Sequence, residues 1–266
     1  MIDIPLTVGG LLARSVRECA DRTYLVTPTE RLTYAAADRI SADRARRLLA
    51  QGVGKGSRVG LFFPNGADWV TWWLAVSRIG AVAVPLSTMY RPAEIAKVVR
   101  LTDIGLLIAP GRVLDIDVAA RFEEALPALA GQTGTALALP EAPFLRRIVL
   151  TGADGPGWAA RDAGGRVPPE VLAAAQAEVS PADLAIMVHT SGSTADPKGV
   201  LHTHGTLTRQ TSTWPAAIRA ITGASAAPVI LCAMPFFWIG GVLAATGALH
   251  EPVTLLVMPR LDAGTA

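Results

Sequence analysis

The chain has 266 residues, 51% of them hydrophobic and 17% charged, a balance that excludes disorder, since disordered chains are apolar-poor and charge-rich; at about 150 residues per domain it makes one large domain or two small ones. Its 24 basic and 22 acidic residues leave a net charge of +2, which is no electrostatic footprint for nucleic acid. Cys19 and Cys232 lie far apart and neither sits in a C-x-x-C pair, so a disulfide scaffold and a thiolate zinc site are excluded.

The opening Met-Ile-Asp-Ile-Pro carries an acidic residue and no basic run, so no secretory leader is expected there. Helical patterning covers residues 15–20 and 34–50. The second stretch sets Ile40, Leu48 and Leu49 among Arg39, Asp43, Arg44, Arg46 and Arg47, which reads as a surface helix with one buried stripe and a solvated basic face. Gln51-Gly-Val-Gly-Lys-Gly-Ser57 ends that helix. It is no Walker loop, because Gly56 follows Lys55 where Ser or Thr is needed and a strand follows where a helix is needed.

A strand is expected at 58–63, a turn at 64–68, a helix at 69–79, a strand at 81–85, a helix at 92–101 and a strand at 106–109. This alternation indicates βαβ units and a parallel sheet. The strands are continuous apolar runs, as expected when helices cover both faces. Residues 131–181 are rich in Gly, Ala and Pro and read as a peripheral excursion with one apolar run at 147–150. A further strand is expected at 183–188.

Mean hydropathy is +0.38, so a membrane span needs testing. The uncharged run 226–249 is long enough for one. Pro228, Pro235, Gly240 and Gly241 interrupt it, and Pro235 would remove a helical hydrogen bond mid-span. The expectation is instead buried core: a strand at 229–233, a break at Met234-Pro235, a short helix at 240–249 and a strand at 253–257.

Chemistry concentrates after the 183–188 strand, in His189-Thr-Ser-Gly-Ser-Thr-Ala-Asp-Pro-Lys-Gly-Val200. Thr190, Ser191, Gly192, Ser193, Thr194 and Lys198 form a coherent set. Hydroxyl donors can wrap phosphate oxygens, and glycine lets backbone N–H groups approach them closely. One ammonium then answers the negative charge, so Thr190 to Gly199 is expected to form a loop between a strand and the following segment, with Lys198 reaching solvent. Lys198 is one of three lysines in a chain with 21 arginines, so a compact, mobile point charge is retained here. The plainer alternative is a flexible Ser/Thr/Gly turn with one surface lysine. His202 and His204 form an H-x-H with no evident third ligand, which reads as polar residues at a helix start. There is no G-x-S-x-G, so Ser191 and Ser193 are not hydrolase nucleophiles.

This segment resembles the phosphate-binding signature T-S-G-[ST]-T-G-x-P-K-G of the adenylate-forming superfamily: acyl-CoA synthetases, aryl-CoA ligases, luciferases and peptide-synthetase adenylation domains. The likeness runs from Thr190 to Gly199, with Ala195 in place of a glycine. Other stretches resemble the family in the same order: Leu32-Thr-Tyr34, Gly54-Lys-Gly-Ser-Arg-Val-Gly60, Pro64-Asn-Gly66, Arg78-Ile-Gly-Ala-Val-Ala-Val-Pro85 and the aromatic Met234-Pro-Phe-Phe-Trp-Ile-Gly-Gly241.

The resemblance implies an α/β fold of layered parallel sheets with helices on both faces, in the cytoplasm. It implies that a carboxylate attacks the α-phosphate of ATP, giving an acyl-adenylate, and that coenzyme A then displaces AMP. Lys198, with Thr190, Ser191, Gly192, Ser193, Thr194 and Gly199, would hold the β- and γ-phosphates, with Mg²⁺ sharing the charge. Trp238, Gly240 and Gly241 would border the acyl pocket. Trp238 stands where acyl-CoA synthetases usually place His and amino-acid-activating domains Asp; it cannot pair with an ammonium, which favours a plain acid with an apolar body. The alternative for Trp238 is a core aromatic.

The family's downstream elements are absent from these 266 residues: a Tyr-Gly-x-Thr-Glu segment, a ribose-gripping Asp, a hinge and a C-terminal domain with a catalytic lysine. The expectation is an incomplete N-terminal AMP-binding domain over 1–266, with open sheet edges and exposed apolar surface. Its alternatives are a non-catalytic fragment binding ATP weakly, a subunit paired with a separate chain that carries the other half, and an enzyme whose acceptor is a carrier protein.

Overall fold

The computed structural model describes residues 4–152, 155–162, 164–190, 197–223 and 228–259. Helix α1 (Val8–Cys19) leads into the hairpin β1 (Thr23–Val26) and β2 (Arg31–Thr33). Helix α2 (Tyr34–Ala50), β3 (Arg58–Leu61), α3 (Ala67–Arg78), β4 (Val82–Pro85), α4 (Pro92–Leu101) and β5 (Leu106–Pro110) follow in alternation. A small hairpin, β6 (Arg112–Val113) with β7 (Ile116–Asp117), precedes α5 (Val118–Ala125). Next come β8 (Arg147–Thr151), β9 (Ala159–Arg161), α6 (Pro169–Ala177), β10 (Leu184–Thr190) and β11 (Lys198–Thr203). The last elements are α7 (His204–Thr211), α8 (Trp214–Thr222), β12 (Val229–Cys232), α9 (Ile239–Gly247) and β13 (Thr254–Val257).

Seven strands form the main sheet in the order β11-β10-β4-β3-β5-β8-β9. All its pairs are parallel except β10–β11, an antiparallel hairpin. A second sheet runs β12-β13-β1-β2, with β1–β2 antiparallel. The architecture is α/β as expected, with mixed rather than wholly parallel sheets, because two hairpins are written into the chain.

Period-two alternation splits the main sheet's side chains between two cores. Val59, Leu61, Ala83, Ile108, Val149, Ile186 and Val188 face the core that holds α1, α2 and α3. Phe62, Val82, Val84, Leu107, Ile148 and Met187 face the one that holds α4 and α5. Burial on both faces explains why the strands read as unbroken apolar runs.

Helices α2 and α4 have the expected bounds. Helix α1 starts earlier than the pattern suggested, because Thr7 caps it by accepting the Gly10 N–H at 3.1 Å. The supposed excursion at 131–181 needs correction. It supplies β8, paired with β5 over five residues, and α6, which packs on α2. The basic face of α2 is also less solvated than expected. Arg44 lies over the Trp72 ring at 4.6 Å and pairs with Asp68, while Arg46 donates to the Val167 carbonyl at 2.6 Å.

The apolar run at 226–249 breaks at the prolines into β12 and α9 as expected, its residues 226 and 227 lying outside the described residues. No described helix is long and apolar enough to cross a membrane. Helix α9 is largely buried, but β12 is an exposed edge, with Val229 61% and Leu231 50% exposed. That part was expected as core and is surface; it fits the expectation of open edges.

Tyr34 ties the front of the chain to its back. Its hydroxyl is fully buried, donates to the Ala248 carbonyl at 2.5 Å and accepts the Val253 N–H at 3.2 Å. Replacing it with phenylalanine leaves buried backbone groups unpaired, at about 1–3 kcal/mol. Y34F should therefore lower the unfolding free energy by that amount, read as a lower urea midpoint with an unchanged m-value, and an unchanged midpoint would show that the tie contributes nothing.

Candidate functional site

The signature segment forms the connection of the β10–β11 hairpin. Ser191, Gly192, Ser193 and Thr194, with Ala195 and Asp196, lie outside the described residues. Thr190, Lys198 and Gly199 do not stand in a loop, as was expected, but in the ladder, where Thr190 pairs with Lys198 and His189 with Gly199. Directly opposed residues share a face, so Thr190 and Lys198 stand together on one side. Both are exposed, and Lys198 has no ion-pair partner among the described residues. That agrees with the expectation that Lys198 reaches solvent.

His189 lies on the other face and is buried, with neither ring nitrogen in a hydrogen bond of good geometry. Burial lowers its pKa, opposed by the nearby Pro85 carbonyl. A Cβ at Gly199 would come within 2.7 Å of Met187 Sδ.

The aromatic segment is a tight turn between β12 and α9. Trp238 N–H donates to the Pro235 carbonyl at 3.0 Å, and the Trp238 carbonyl accepts from Val242 at 3.2 Å, opening α9. Phe236 is fully buried with its ring 5.0 Å from that of Trp69. Trp238 is 45% exposed, so it is not a core aromatic. Gly241 is required by close approach, since a Cβ there would lie 2.3 Å from the Pro235 carbonyl oxygen. Gly240 meets only the flexible end of Met234, at 2.8 Å.

The topology brings the two segments to one edge. Strands β3, β4 and β10 are parallel neighbours, with β4 in the middle. Thr190 therefore leaves the same carboxyl-terminal edge as the Pro64-Asn-Gly66 turn, about 10 Å across two strand spacings. Asn65 of that turn hydrogen-bonds the backbone at Met234 and Phe236. Helix α7, which follows β11, packs against α9. In open α/β sheets ligands bind at this edge. A cleft of about 540 Å³, lined by Asp68, Arg112, Asp117 and Thr151, opens beyond β5 and β8 at the same end. In sequence Asn65 is only part of a turn; its side-chain hydrogen bonds to a segment about 170 residues away have no signal in spacing or composition.

The H-x-H motif is divided between two elements: His204 begins α7, as expected, but His202 lies on β11 and not at the helix start, because the antiparallel ladder with β10 runs on to Thr203. His204 is fully buried, and its Nδ1 accepts the Val8 N–H at 3.3 Å. His250, also buried, meets Thr211 Oγ1 at 2.9 Å.

Residues 12–266 match the family described as AMP-binding enzyme, and the chain belongs to it. It is 32% identical over 237 residues to the 3-[(3aS,4S,7aS)-7a-methyl-1,5-dioxo-octahydro-1H-inden-4-yl]propanoyl:CoA ligase of Mycobacterium tuberculosis, covering 89% of this chain and 43% of that protein. It is 30% identical over 198 residues to the 3-hydroxybenzoate–CoA ligase of Aromatoleum, covering 74% of this chain and 34% of the relative. The chain thus spans less than half the length of these relatives. In fold it is similar to a solved long-chain-fatty-acid CoA ligase of Rhodopseudomonas palustris, with TM-score 0.74, 22% identity and coverage of 96% of this chain and 58% of the other. VinN, solved with L-aspartate, gives TM-score 0.68 at 23% identity, covering 95% of this chain and 62% of that one.

The buried histidines give the fold a pH dependence of definite sign. Desolvation lowers both His204 and His250 from 6.5 to about 4. Between those values the unfolded chain binds protons that the folded chain refuses. Stability is therefore complete above about pH 6.5 and falls as the pH drops towards 4, by about 3 kcal/mol per histidine at the acid end. Urea unfolding should show the midpoint falling steeply from pH 6.5 to 4.5, while NMR keeps both rings neutral at pH 5.5. A flat midpoint, or rings protonated near 6.5, would contradict this.

Proposed function

We propose that this chain carries the phosphate-binding and acid-binding parts of a carboxylate-activating CoA ligase of the cytoplasm. ATP and coenzyme A are the co-substrates and a fatty or aryl acid is the substrate. The observation that supports it most is the pairing of Thr190 with an exposed Lys198, which has no ion-pair partner among the described residues, at the carboxyl edge of a parallel sheet, within a family named for AMP binding. A hydroxyl beside an ammonium suits a polyphosphate, the one donating a hydrogen bond and the other neutralising charge.

On this reading Lys198, Thr190 and Gly199, with Ser191, Gly192, Ser193 and Thr194, hold the β- and γ-phosphates, and Mg²⁺ arrives with ATP. A carboxylate oxygen attacks the α-phosphorus and the bond to the β-phosphate breaks, releasing pyrophosphate. The thiol of coenzyme A then attacks the acyl carbon, and AMP leaves. Bringing two anions together is the main obstacle, and positioning with charge neutralisation is what lowers it. Trp238, with Gly240 and Gly241 following it at the start of α9, receives the body of the acid. Its indole offers no partner for an ammonium, which favours a plain acid over an amino acid.

Adenine- and ribose-holding segments that the resemblance implies are not among these 266 residues. We propose that the other half comes from further polypeptide, on this chain or a separate one. Phosphate contacts alone must offset several kcal/mol of lost freedom. The 266-residue chain by itself should bind ATP no tighter than about 1 mM, near −4 kcal/mol, and K198A should weaken this further. Pyrophosphate exchange with a panel of acids should give no turnover above the K198A control, and A195G should not create any. Turnover clearly above that control would make the chain an enzyme in its own right.

A further inference from the structure

Asn65 makes two hydrogen bonds across about 170 residues of sequence. Its Nδ2 donates to the Met234 carbonyl at 3.1 Å, and its Oδ1 accepts the Phe236 N–H at 2.7 Å. One primary amide thus takes both an N–H and a C=O from alternate residues of one segment, as the backbone of a neighbouring strand would. The residue between them, Pro235, has no N–H to satisfy, and its carbonyl is taken by Trp238.

The clamp is itself held. Asn65 lies just before α3, whose first residue Ala67 donates its N–H to Glu30 Oε1 at 3.1 Å. Trp69 of the same helix packs on Phe236. On its far side the segment is fixed by the contact that requires Gly241 beneath the Pro235 carbonyl. Between these two anchors stands Trp238, half-exposed, with the Phe237 ring edge-on at 5.8 Å. The direction of the indole therefore depends on a backbone whose upstream polar anchor is chiefly the Asn65 amide, with Trp69 packed on the Phe236 ring and the Cys232 thiol a weak second donor to the Met234 carbonyl. Other residues serve poorly at position 65. Aspartate keeps the acceptor but sets a carboxylate against the Met234 carbonyl, alanine leaves the Phe236 N–H unpaired and the Met234 carbonyl with only the weak Cys232 thiol at 3.7 Å, and glutamine is a methylene too long.

We propose that Asn65 is a positioning residue for acid recognition: its amide fixes the Met234–Phe236 backbone and so sets the Trp238 indole against which the acid's body lies. This rests on the reading of Trp238 given above. It makes acid selectivity a property of the β3–α3 turn as well as of the aromatic segment.

The test uses the 266-residue chain, with benzoate and octanoate as acid probes and inorganic pyrophosphate as a probe of the Lys198 hairpin. Saturation-transfer NMR titrations read binding, and hydrogen exchange reads the Phe236 amide. N65A should weaken the bound acid at least tenfold, leave pyrophosphate affinity within twofold and expose the Phe236 amide to exchange. N65D should keep that amide protected and lose less acid affinity, so the acceptor alone gives partial rescue. A merely structural role would move both ligands together. Acid binding in N65A equal to wild type, or an equal loss of acid and pyrophosphate in N65A and N65D, overturns the Asn65 proposal and leaves the Trp238 reading standing. Acid binding that is absent from wild type, or unaffected by W238A, overturns the Trp238 reading and the Asn65 proposal with it.

Discussion

Helix α3 is apolar on every side, and eleven of its twelve residues are buried. A helix of this kind cannot lie on a surface; it must be enclosed. The main sheet covers one side of it through Leu61 and Ile108, α2 covers another, and Phe236 closes on Trp69 from the segment that leads to α9. Burying the three indoles of Trp69, Trp72 and Trp73 thus fixes where the main sheet, α2 and the aromatic turn stand relative to one another. Three polar residues on α3 are bound in place: Asp68 by Arg44, Thr71 by the Ala67 carbonyl, and Arg78 by α2. Arg78 reaches Asp38 at 2.5 Å and Ser41 at 3.1 Å, so α2 and α3 are joined by charge as well as by packing.

The same enclosure places chemistry at the amino end of α3. The turn that opens the helix lies at the carboxyl edge of the sheet, and Asn65 in it reaches the backbone leading to Trp238. The β10–β11 hairpin leaves that edge two strands away. Asn65, Thr190, Lys198 and the turn at 234–241 are distant in sequence and stand towards one edge of the sheet, because parallel strands all end on one side.

Much of this was legible beforehand because it is local. The bounds of α2 follow from its helical stripe and the turn glycines that end it, and the break of the 226–249 run follows from Pro228 and Pro235. The T-S-G-S-T…P-K-G string carried its own chemistry. Other features were not local. The peripheral look of residues 131–181 came from their Gly, Ala and Pro content, yet β8 belongs in the sheet because its apolar residues have β5 to pair with. The arginines of α2 looked solvated because nothing in sequence shows that Asp162 and Val167 return to meet them.

By itself, then, the sequence determined the alternation of strands and helices, the doubly buried character of the main sheet and the residue types of the phosphate segment, since each depends on neighbours a few positions away. Only the tertiary structure decided that β12 is an exposed edge, that Trp238 stands half in solvent and that Asn65 holds the turn beneath it. Those outcomes depend on contacts between residues about 170 to 230 positions apart, which periodicity and composition do not encode.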